Sequence, residues 1–72
     1  MSKTIYTKEH KNIVDRLILA RRASGLKQEE VAKKLKRSQS YVSKIESGQR
    51  RIDLVQLRAF AGLYKKDIKY FV

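Results

Sequence analysis

The apolar residues of this chain recur at intervals of three and four, and that period is cut into short lengths by local start and stop signals. No proline occurs, and the only glycines are Gly25, Gly48 and Gly62. No segment alternates apolar and polar residues for long, so a half-buried strand has no signature here. The chain therefore reads as all-α, a compact bundle of four to five short helices. Residues 1–6 read as a flexible N-terminal arm and 7–72 as a single domain.

The punctuation places the helices. Thr7 is a candidate cap for a first helix to about Ser24, with Ile13, Val14, Leu17, Ile18 and Ala20 at helical spacing. Gly25 follows where a helix end needs positive φ, which glycine adopts without steric cost. A second helix fits Gln28 to Leu35, with Val31, Ala32 and Leu35 on one face. After a break at Lys36, Arg37 and Ser38, the Ser38 hydroxyl suits the N-cap of a third helix running to about Ser47, closed by Gly48. Asp53 and Gln56 form a capping box for a fourth helix, and Ile52 and Leu57 form its hydrophobic staple. Its packed stripe is expected to include Leu54, Leu57, Phe60, Ala61 and Tyr64. Asp67 is expected to cap a last turn through Ile68 and Phe71.

Charge narrows the partners. Against 18 Lys and Arg stand 7 Asp and Glu, a formal net charge of +11 on 72 residues. With 42% apolar residues at helical spacing, the chain is expected to fold rather than remain a basic tail. Without cysteine there is no disulfide framework and no thiolate zinc site, and a single histidine makes no metal cluster. No metal or other cofactor is expected. The longest apolar run, Leu17 to Ala20, is far short of a membrane span, and no charged-then-apolar leader opens the chain. A polyanion is the expected partner.

The third helix carries the argument for which polyanion. At 100° per residue, Val42 and Ile45 point one way and Ser40, Ser43, Lys44 and Ser47 the other, with Gln39 and Tyr41 flanking. Short hydroxyls permit close approach to a groove. An amide can pair with adenine, a lysine can reach guanine acceptors, and serine serves either base. From Lys33 to Arg51 there are seven cations and one acid, Glu46. The flanking cations would fix register on phosphates while the helix reads bases. Gln28, at the start of the second helix, would hold a further phosphate with its backbone N–H.

The stretch Gly25-Leu26-Lys27-Gln28-Glu29-Glu30-Val31-Ala32, followed by Ser38-Gln39-Ser40-Tyr41-Val42-Ser43-Lys44-Ile45-Glu46-Ser47-Gly48, resembles the helix-turn-helix of the phage repressor and Cro (XRE-type) family, over roughly residues 10 to 71. The resemblance implies a lambda-repressor-like fold whose second motif helix lies in the major groove of double-stranded DNA. Carried over position by position, Ser38, Gln39, Ser40 and Lys44 are the expected base contacts. The expected phosphate contacts are Lys27, Gln28, Lys36, Arg37, Tyr41, Ser47, Arg50 and Arg51. Arg21 and Glu46 are the expected ion pair between the first and third helices. The chain departs from the family pattern at Lys27, where Ser or Thr is usual, at Lys36 or Arg37, where the turn often has Gly, and near Lys65, where Gly often ends the fourth helix.

These readings converge on a sequence-specific DNA-binding transcriptional regulator, a repressor or autoregulator, acting as a homodimer on a pseudo-palindromic operator and performing no catalysis. The resemblance implies a cytoplasmic, nucleoid-associated protein of a prokaryote or phage. A rival reading is a protein-interaction module of the same fold, such as an antitoxin holding a partner protein. A second rival, a cationic binder of membranes or RNA, fits the helical punctuation poorly. Ile18 and Leu19 exceed what one apolar stripe needs, and either form a dimer patch or are covered by Ile68–Val72. Tyr6, Tyr64 and Tyr70 read as packing residues, and His10 as an ordinary first-turn residue rather than a ligand.

Overall fold

The computed structural model describes residues 8–72, so the expected arm, the Thr7 cap and Tyr6 lie outside the described residues. Four α-helices and a 3₁₀ turn follow one another: α1 (Lys8–Ala23), α2 (Gln28–Leu35), α3 (Gln39–Glu46), α4 (Leu54–Tyr64) and the turn Ile68–Tyr70. Among the described residues there is no strand.

Each boundary has a local cause. Gly25 ends α1 at φ +72°, and the Leu26 N–H returns to the Arg21 carbonyl at 3.2 Å. The Ser38 hydroxyl accepts from the Tyr41 N–H at 3.1 Å, and Gly48 takes φ +82° beyond the end of α3. The Asp53–Gln56 box closes in both directions, at 2.7 Å and 3.0 Å. Asp67 accepts from the Lys69 N–H at 2.9 Å and starts the final turn.

The departures noted in the sequence are real structural features. Lys27 occupies the N-cap of α2 in an extended conformation. Its ammonium cannot accept a hydrogen bond, and the only reciprocal contact runs the other way, from the Lys27 N–H to Glu30 Oε1 at 2.7 Å. Lys36 and Lys65 adopt the left-handed conformation at φ 59° and 57°, where glycine is usual. For an ordinary side chain that region costs about 1–2 kcal/mol.

The core gathers one face of every element: Leu17 and Ala20, Val31 and Ala32, Val42 and Ile45, Leu57, Phe60, Ala61 and Tyr64, with Phe71 closing it from the C-terminus. His10 sits in the first turn of α1, as expected, and is buried there.

Two placements differ from the sequence reading. Tyr41 stays beside Ser40 and Lys44 of the polar face of α3 but does not project from it. Its ring turns inward, is 9% exposed and stacks on Phe60 with centroids 6.4 Å apart. Leu54 does not join the packed stripe of α4. It is 57% exposed, because it lies one turn before Leu57, beyond the end of the core. The alternatives for Ile18 and Leu19 divide between the two residues. Ile18 is half-buried on the side of α1 that faces α3, whereas Leu19 borders a groove with Tyr70, Phe71 and Val72 and is 54% exposed.

Candidate nucleic-acid interface

The side chains of α3 divide cleanly. Val42 and Ile45 are fully buried, while Ser38, Gln39, Ser40, Ser43, Lys44 and Ser47 are exposed. The outward face thus carries hydroxyls, one amide and one ammonium on an element pinned from behind by two β-branched side chains.

A buried polar network also fixes the helix. Arg21 Nε donates to both carboxylate oxygens of Glu46, at 3.2 Å and 2.9 Å, and one terminal nitrogen of Arg21 donates to the Leu26 carbonyl at 3.0 Å. Gln28 Nε2 donates to Glu46 Oε1 at 3.0 Å. The Glu46 side chain is only 4% exposed, and a carboxylate removed from water needs such partners. The expected Arg21–Glu46 pair is therefore present. Gln28, expected at a phosphate, also engages Glu46, a contact not anticipated from the sequence. The two residues are 18 positions apart on different helices, and no local signal links them.

A polar depression of 420 Å³ lies at the N-terminal end of α3, lined by Lys36, Arg37, Ser38, Ser40, Tyr41, Lys44 and Arg50. It contains four cations and no carboxylate. The guanidinium carbons of Arg37 and Arg50 lie 4.9 Å and 5.0 Å from the centroid of the Tyr41 ring. A second depression, of 240 Å³, flanks the other side and brings Gln28 and Ser47 together with Ile18, Arg22 and Ser43. Arg22 was not singled out in the sequence. Lys27, Gln39 and Arg51 are exposed but line neither depression.

Among the described residues no group of three His, Cys, Asp or Glu is placed to hold a metal ion. No helix among them is long and apolar enough to cross a membrane.

Two short helices joined by a three-residue turn, the second presenting a polar, cationic face over a buried apolar one, constitute a helix-turn-helix. The chain belongs to the helix-turn-helix domain family, whose model matches residues 13–67, from the middle of α1 to the cap of the final turn. No curated protein matches it.

Proposed function

We propose that this protein is a sequence-specific, double-stranded DNA-binding transcriptional regulator of the XRE type, a repressor or autoregulator with no catalytic role. The observation that carries the reading is the sidedness of α3, in which fully buried Val42 and Ile45 oppose exposed Gln39, Ser40 and Lys44. With α3 in the major groove, Ser38, Gln39, Ser40 and Lys44 face base edges. Lys27, Lys36, Arg37, Ser47, Arg50 and Arg51 then border the backbone, and the backbone N–H of Gln28 points from the start of α2 toward a phosphate.

The size of α3 argues for a homodimer. Its 8 residues rise about 12 Å, which covers only three or four base pairs. One copy reads too short a site for useful selectivity. Two copies, with their α3 helices about 34 Å apart, read a pseudo-palindrome on one face of the duplex.

Selection of bound duplexes from a random pool tests the proposal directly. Enrichment of an inverted repeat is the expected result, and recovery of no preferred sequence is the outcome that overturns it. On the selected site, Lys44→Ala should weaken discrimination at one base position by about 1–3 kcal/mol. A loss equal for all sequences would place Lys44 on a phosphate instead.

Exposed Leu54 and Val55, at 57% and 78%, favour a second reading in which this fold holds another protein, as an antitoxin does. A stoichiometric protein partner together with a failed DNA selection would support that reading.

A further inference from the structure

We propose that Arg37 and Arg50 form one two-armed seat for a single DNA backbone phosphate, and that Tyr41 is the positioning residue that holds both arms. The proposal rests on the DNA-binding reading and deepens it. Arg37 comes from the turn before α3 and Arg50 from the loop after it, so they approach from opposite ends of the helix. Their guanidinium carbons nevertheless lie 4.9 Å and 5.0 Å from the centroid of the same ring. Both side chains also line the one polar depression at this end of α3, so their donors open into the same space, where a single tetrahedral anion can meet both.

The ring is suited to be a platform. It is 9% exposed and nearly parallel to Phe60, at 11°, so it is held in the core and does not swing with the side chains it carries. A cation–π contact uses the face of the ring and no oxygen acceptor. Neither arginine has a carboxylate partner among the described residues. Both keep forked N–H donors for phosphate oxygens. Lys36 and Lys44 line the same depression, and Ser38 and Ser40 add hydroxyls at its wall. Four cations without an acid repel one another, and an anion between them relieves that repulsion.

The test is binding of the full chain to its selected duplex over a range of salt concentrations. Arg37→Gln and Arg50→Gln are measured singly and together, beside Tyr41→Phe and Tyr41→Leu. One shared phosphate predicts that the double variant loses about 0.9 from the log–log salt slope, whereas two separate phosphates would lose about 1.8. Tyr41→Phe keeps the ring and should bind within about twofold of the parent. Tyr41→Leu should bind about tenfold more weakly on every sequence while keeping the same base preference. Should Tyr41→Leu fail to fold, the arginine series and Tyr41→Phe decide alone, since neither removes the ring. Additive slope losses for the two arginines, or a tenfold loss in Tyr41→Phe, overturn the seat while leaving DNA binding intact. Absence of duplex binding by the parent protein overturns both readings.

Discussion

Tyr64 shows how much one side chain gives up to fill a core. Its ring tilts against Phe60 at 6.2 Å, and its hydroxyl is buried with no hydrogen-bond partner among the described residues. Burial pushes the ionisation of the phenol far up, the nearby Glu46 carboxylate adds to the shift, and the Arg21 guanidinium partly offsets it. A folded phenol that resists ionisation keeps its proton where the unfolded chain, with an ordinary tyrosine near pH 10, releases it. Its contribution is therefore complete below about pH 10 and lost as pH rises above that. Tyr64→Phe removes an unsatisfied polar group and the titration together. It should match or exceed the parent in stability at pH 7, by up to about 1–3 kcal/mol, and lose less stability between pH 9 and pH 11. Urea melts at the three pH values measure both effects. A variant less stable at neutral pH would mean that the hydroxyl has a partner, such as a bound water.

At the level of elements, the start and stop chemistry is local, and so most helices could be read from sequence. Ser38 with Tyr41, Asp53 with Gln56, and Asp67 with Lys69 each close within three residues. What sequence could not supply was the cover over each helix. Tyr41 and Leu54 sit at helix ends, where the period gives a direction but not whether another element lies there. Phe60 receives Tyr41, and no described residue closes over Leu54. The same non-locality hid the Gln28–Glu46 contact, while Arg21–Glu46 was anticipated only through family resemblance. Two substitutions exploit the ends and middles that are locally unfavourable. Gly62 lies inside α4, and an added Cβ there meets nothing within 4 Å. Gly62→Ala should therefore stabilise the protein by about 1 kcal/mol in thermal melts without changing DNA affinity. Lys27→Ser supplies the missing acceptor at an N-cap already in extended conformation and should add about 1 kcal/mol. The same change removes a cation expected at the backbone, so duplex affinity should fall uniformly as stability rises. Glu46→Ala should act in the opposite sense, destabilising by about 3 kcal/mol, because it leaves Arg21 and Gln28 without their shared acceptor.

Across the whole molecule, the distribution of acids matters more than the net charge of +11. Glu46 is buried against Arg21, Asp15 pairs with Lys11 on the exposed side of α1, and Glu30, Asp53 and Asp67 are engaged at helix starts. Between Lys33 and Arg51 the one acid is Glu46, turned inward onto Arg21, so the cations of that stretch outnumber the acids seven to one and the field around α3 stays strongly positive. Binding driven by that field releases counterions, and the salt dependence then reports how many phosphates are covered. A homodimer neutralising four to five phosphates per protomer should give a log–log slope of about −7 to −9, and one protomer about −4. Measuring the slope beside sedimentation of the free protein separates the cases. A slope near −8 with a two-to-one complex supports paired α3 helices on one face of the duplex. Exposed Leu54 and Val55 would be covered in such a pair as they would be by a different protein, and sedimentation of Val55→Glu separates the two: a shift toward monomer places the homodimer seam there, and an unchanged oligomeric state leaves that surface to another partner. If the slope stays near −4 and the free protein stays monomeric, each copy acts alone and the inverted-repeat operator must be abandoned.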